Sequence, residues 1–220
     1  EIQEKLFDSL KEFLPNNLTY SKFINGADDK QVGIMSSIKV GPTIADDIKN
    51  NSFLAVIGSL IVVFLYILFR FRKWQFSLGA VTAVFHDILI VLGIFSISYK
   101  FMPFNMEINQ AFIAAILTVI GYSLNDTVVV FDRIREYIKD HSKWSFDITL
   151  NSALNSTLSR TLNTSLTTLI VLLAIFIYGG ESIRGFMFAL IIGVIIGTYS
   201  SVFIATPVMY DTIKKKAIDE

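Results

Sequence analysis

Five apolar stretches, at about residues 52–69, 76–98, 108–131, 158–178 and 185–210, dominate the second half of this 220-residue chain. Each approaches the roughly 20 residues that carry a helix across a bilayer core. Hydrocarbon offers no partner to a bare N–H or C=O, so stretches of this length can cross it only as helices. Composition agrees: 53% of residues are hydrophobic and 17% charged, with a mean hydropathy of +0.57. The expected fold is an α-helical membrane protein with five transmembrane helices in a bundle over residues 51–212, and a tail at 213–220.

Charge sets the expected orientation. Arg70, Arg72 and Lys73 follow the first span, Arg133, Arg135, Lys139 and Lys143 follow the third, and Lys214, Lys215 and Lys216 follow the fifth. The second and fourth connections carry only Lys100 and Arg184. Basic loops stay in the cytoplasm. The N-terminal segment is therefore expected outside and the C-terminus inside, in a bacterial inner (cytoplasmic) membrane.

Residues 1–50 are polar by comparison. Ile2, Leu6, Leu10, Phe13 and Leu14 recur at helical spacing, which predicts an amphipathic helix ending before Pro15. VGIMSSIKVG, at 32–41, has strand composition, and Pro42 suits the first turn of a helix. This segment is expected to be the remainder of a small external α+β domain. The stretch after Arg133 mixes Trp144, Phe146, Ile148, Leu150 and Leu154 with polar residues, as a membrane-surface segment does.

The polar residues inside the spans bear on function. A carboxylate at the centre of a lipid-spanning helix costs about 2.5–3.5 kcal/mol, so Asp126 in the third span is a functional candidate. By helical rise it lies roughly 22 Å in from the outer surface, and Arg160 in the fourth span lies roughly 27 Å in. The two opposite charges therefore sit at comparable depth, and pairing would lower the insertion cost of both and hold the carboxylate ready to exchange a proton. The alternative is that Arg160 snorkels to the headgroups while Asp126 locks two helices together. Val119, Tyr122, Ser123, Asp126, Val130 and Arg133 share one face of the third span. Ser156, Thr157, Arg160, Asn163, Thr164, Thr167 and Thr168 form a stripe on the fourth, fit either to relay protons through held water or to bond helices together.

His86 and Asp87 interrupt the second span roughly 15 Å from its cytoplasmic end. Their side chains diverge by about 100°, so they need different partners, as relay groups or as packing groups. Ala189, Gly193, Gly197, Ser201 and Ala205 recur every fourth residue in the last span and let another helix approach closely.

Several classes are disfavoured. A net charge of +0 gives no field for nucleic acid. With no Cys and two His, thiolate and multi-His metal sites are not expected. There is no phosphate-binding glycine loop and no hydrolytic constellation, so neither cofactor nor catalytic residue is assigned and the chain is not read as an enzyme. An ion gradient remains as the energy source.

Four blocks of sequence go further. VGPTIADDI, FHDILIVLG, GYSLNDTVVVFDRIRE and NSTLSRTLNTSLTTLIVLLAIFIYGG resemble the SecF half of the bacterial SecDF protein-export family. The resemblance spans nearly all of residues 41–211. It implies a resistance-nodulation-division-like (RND-like) architecture of two six-helix halves with external domains, of which five helices of one half are present here. It also implies a proton-driven auxiliary role beside the SecYEG translocon, with the SecD half, secreted polypeptides and the lipid bilayer as partners. The family's proton-conducting residues fall on Asp126, in the Asn125–Asp126 pair, and on Arg160 in the SRT block; Asn125 and Thr164 are candidates either for the relay or for helix packing. The His86–Asp87 pair matches a recurring dipeptide of the family. A first helix ahead of the external domain is expected to precede Glu1 in a longer protein, and the SecD half to supply a further membrane carboxylate. Two competing readings are a non-catalytic translocon scaffold, docking a partner on the small-residue face, and a small-molecule/proton antiporter.

Overall fold

The computed structural model describes residues 2–15, 18–25 and 42–219, and is helical throughout its regular elements. Two units are distinguished, residues 1–47 and 48–220. In the first, α1 (Ile2–Leu10) and α2 (Tyr20–Asn25) meet through Phe7, whose ring lies 5.6 Å from Tyr20 and 5.2 Å from Phe23. The strand expected at 32–41 lies outside the described residues.

Helix α3 (Pro42–Phe71) starts at Pro42, where proline's missing N–H costs nothing and its fixed φ suits a first turn. Then follow α4 (Trp74–Ser98), α5 (Gln110–Asp140), α6 (Phe146–Tyr178), α7 (Glu181–Ser200), a π-helical turn (Ser201–Ala205) and α8 (Thr206–Asp219). Five stretches are long and apolar enough to span a membrane: Asn50–Phe71, Trp74–Ser98, Gln110–Asp140, Phe146–Tyr178 and Glu181–Lys214.

The helices overrun the apolar stretches. Helix α5 continues to Asp140 and α6 already begins at Phe146, so only residues 141–145 connect them. The segment read as a surface layer is thus a helical hairpin projecting past the apolar zone. Ser145 starts α6 by accepting the N–H of Ile148, and Asn109 starts α5 by accepting that of Phe112.

Helices α5 and α7 pack closest, and α6 and α4 each pack against both. Glycine makes this possible. A Cβ on Gly193 would overlap the side chain of Val119, and one on Gly197 would lie 3.0 Å from the Cβ of Ser123. The small-residue face of α7 is therefore filled by α5 of the same chain. Towards its other end a Cβ on Gly79 of α4 would fall 2.5 Å from the carbonyl oxygen of Ala205. The π-helical turn has a local cause in Pro207, which cannot donate to the carbonyl of Phe203 and so opens the ladder. Thr206 satisfies the loosened carbonyl of Ser201 through its hydroxyl at 3.2 Å.

Aromatic rings close both ends of the bundle. Phe71, Phe76 and Phe131 cluster at 5.0–5.9 Å where α3 turns into α4, and Phe95, Phe104, Phe112, Phe176 and Phe188 gather at the opposite end. Helix α3 meets the core along a single line, Val56, Leu60, Val63, Ile67 and Phe71, one residue per turn, with its other apolar faces open. The polar groups lie between the two aromatic clusters.

Candidate functional site

Two buried carboxylates define the interior. Asp126 of α5 is 3% exposed and Asp87 of α4 is 1% exposed. Each is surrounded by hydroxyls rather than by an opposite charge.

At Asp126 the hydroxyls come from α6 and α7. Ser165 donates to the carboxylate at 3.5 Å and shares a 2.6 Å hydrogen bond with Thr198, while the Tyr122 hydroxyl approaches Ser165 at 3.3 Å. Thr198 also donates to the carbonyl of Val194. Arg160 is the cation whose charge acts on Asp126 through space. The two do not form an ion pair, however, and Arg160 is exposed. Equal depth in the membrane did not guarantee contact, because depth leaves the angle about the helix axis undetermined.

That angle also rearranges the expected stripe on α6. The buried polar line is Thr149, Thr157, Thr161 and Ser165, interrupted by Ala153, at four-residue intervals. Asn163, Thr164 and Thr167 face away from the bundle, Arg160 is exposed at a cavity between α5 and α6, and Thr164 bonds back to the carbonyl of Arg160 at 3.0 Å. Asn125 is likewise exposed beside the buried Asp126.

At Asp87 the ring of hydroxyls is tighter. Ser123 of α5 donates at 2.5 Å and Ser200 of α7 at 2.7 Å to the same oxygen, and His86 Nδ1 lies 3.2 Å from the other. Three helices thus meet on one carboxylate. Ser200, Ser165 and Thr198 carry no sequence signal of their own, being ordinary hydroxyls in apolar runs. The position of Ser200 between Gly197 and Ser201 of the small-residue face is the one hint that it meets a neighbouring helix.

A cavity of about 470 Å³ opens between α5 and α6 on the side of the hairpin, lined by Val129, Asp132, Arg133, Glu136, Ser156, Thr157 and Arg160. Arg133 lies across it, donating to Ser156 at 2.9 Å and to Glu136 at 2.7 Å. Asp132 pairs with Arg70 of α3 at 2.8 Å. Among the described residues no group of three or more His, Asp or Glu could hold a metal ion.

Comparison with known proteins adds a family. The family model for the protein export membrane protein SecD/SecF, C-terminal region, matches residues 20–215. The protein translocase subunit SecF of Rhodothermus marinus is 47% identical over 211 residues, covering 96% of this chain and 64% of that protein. The protein translocase subunit SecDF of Brucella abortus is 45% identical over 170 residues, covering 77% of this chain and 22% of that protein. The chain thus spans under two thirds of the length of these relatives. The crystal structure of SecDF from Thermus thermophilus, a translocon-associated membrane protein, matches with a TM-score of 0.73 at 39% identity, over 80% of this chain and 23% of that one. A super-membrane-facing form of SecDF matches with a TM-score of 0.73 at 33% identity, over 98% and 27%.

Proposed function

Since the chain belongs to the SecD/SecF C-terminal family of protein export membrane proteins, we propose that it is the SecF-type membrane half of a proton-driven export motor. It sits in the bacterial inner membrane with its N-terminal segment outside and its C-terminus in the cytoplasm, and assists the SecYEG translocon in moving secreted polypeptides outward. Chemistry on a covalent bond is not part of this role. The observation that carries the proposal is Asp126, a carboxylate buried in an apolar bundle, bonded to the Ser165 hydroxyl and without an ion-pair partner among the described residues. Such a group exchanges a proton more readily than one locked in an ion pair, because no partner charge must be abandoned when it is neutralised.

Arg160 fits the same scheme. Its exposed side of α6 gives it access to a second half-bundle, the SecD half, whose own carboxylate would share the path. Proton entry at Asp126 then changes the charge that Arg160 meets across that interface. Each elementary charge crossing 100 mV supplies about 2.3 kcal/mol, so a few protons per cycle suffice to bias a movement of the external domains. Asp87 has another part, holding α4, α5 and α7 together through Ser123 and Ser200, with His86 at its rim.

The scaffold reading loses its docking face, because Gly193 and Gly197 are occupied by Val119 and Ser123 within the chain. The deciding experiment compares export of a slow-folding secreted protein by the full-length parent and by Asp126→Asn, at matched membrane levels, with the proton gradient on or collapsed. The expected outcome is stimulation that needs both the gradient and the carboxylate. Equal export by Asp126→Asn would end the proton reading.

A further inference from the structure

The hydroxyl of Thr161 is buried and has no hydrogen-bond partner, although the residue is only 3% exposed. A threonine on a helix ordinarily donates to the carbonyl three or four residues before it, as Thr157, Thr164, Thr167 and Thr168 all do here. An orphan hydroxyl in an apolar setting is costly unless water completes it. Its position gives that water a use. Thr161 lies one turn from Ser165, which bonds Asp126, and one turn in the other direction from Thr157, which lines the cavity between α5 and α6. All three belong to the buried face of α6. Successive hydroxyls at this spacing are separated by about 6 Å of helical rise, the span of one bridging water.

We infer that Thr157, Thr161 and Ser165 form a hydrated ladder along which Asp126 exchanges protons with the cavity, Thr161 being the relay residue that holds the connecting water. The inference deepens the proposed proton role of Asp126 and rests on it. In each step an oxygen accepts a proton on a lone pair and releases its own O–H proton onward, so every hydroxyl and water is restored. The proton released by the Asp126 carboxyl reaches water in the cavity. There Glu136 and Asp132 of α5 are the carboxylates, with Arg133 beside them on the same helix and Arg160 facing from α6. The cavity opens on the side of the α5–α6 connection, which is the cytoplasm in the proposed orientation. The ladder would therefore be the inner half of the path.

Thr161→Val tests it, since valine keeps the shape and removes the hydroxyl. The full-length protein, with its SecD half, is reconstituted in vesicles carrying an internal pH dye, and proton flux and export are read for the parent, Thr161→Val, Thr161→Ser and Asp126→Asn. The expected result is a tenfold or greater loss of flux and gradient-driven export in Thr161→Val, an unchanged or raised melting temperature, and recovery in Thr161→Ser. Parental flux in Thr161→Val beside an inactive Asp126→Asn overturns the ladder and leaves the proton site standing. Parental flux in Asp126→Asn itself overturns the reading on which the ladder depends. Should Thr161→Val melt early, Thr157→Cys decides instead, in full-length protein from which any cysteine outside these 220 cysteine-free residues has been replaced. A membrane-impermeant thiol reagent is expected to label it from the same side as the control Lys139→Cys, whereas no labelling there means a dry cavity and no ladder.

Discussion

Asp87 and Asp126 are both buried aspartates, yet their surroundings assign them different work. Asp87 receives two short hydrogen bonds on one oxygen and is fixed by three helices. Asp126 has one longer contact, from a Ser165 that is itself shared with Thr198 and Tyr122. A tightly held acceptor stabilises a fold, while a loosely held one can change protonation with little rearrangement. Ser123→Ala and Ser200→Ala are each expected to lower stability by about 1.5–3 kcal/mol, the range for a hydrogen bond to a charged group. Their effects should not add, because both hydroxyls serve the same oxygen. Thermal unfolding in detergent of the two single variants and the double variant checks this, and full additivity would mean that Asp87 does not couple the two helices.

Among the elements, α7 is the most constrained. It lies against α5 with no room for a Cβ at Gly193 and little at Gly197, and the π-helical turn that continues it meets α4 at Gly79 through the carbonyl of Ala205. Proline-induced widening therefore occurs directly after Ser200, the residue that bonds Asp87, and the two packing registers are adjusted to one another there. Gly193→Val should cost about 1–3 kcal/mol by overpacking against Val119. Gly93 meets nothing within 4 Å, so Gly93→Ala should be neutral or stabilising by up to about 1 kcal/mol, the gap in helix propensity. Melting temperatures of the two variants in detergent separate packing from propensity; equal destabilisation would remove the packing account.

For the whole molecule, the distribution of exposed apolar surface is uneven. Leu162 and Leu166 of α6 are 52% and 57% exposed, and much of α3 is equally open, while α4, α5 and α7 bury one face each and leave side chains such as Phe85, Leu89 and Ile195 exposed on the other. Lipid can cover apolar side chains, but it provides poor company for Arg160 and Asn163, which share that side of α6. The proposed SecD half resolves this by supplying protein there. Spin labels at Leu162→Cys and Leu166→Cys should lose mobility when the SecD half is co-expressed, whereas a label on the far side of the bundle should not. Unchanged mobility would place the second half elsewhere.

The periodicity and length of the apolar runs determined five crossings, and four sequence blocks pointed to the family, because both properties are local and survive without knowledge of packing. Pro42 announced the start of α3 for the same reason, its fixed φ acting on its own residue. Asp126 was legible as a candidate since a carboxylate deep in an apolar run is costly whichever way its helix faces. Rotation about each helix axis was not legible. A shift of one residue turns a side chain by about 100°, enough to leave Arg160 exposed while burying Thr161 and Ser165. Only the tertiary structure decided that, because the facing of each helix is set by which glycines admit which neighbours, and the partners of Asp87 come from helices 36 and 113 residues away in the chain.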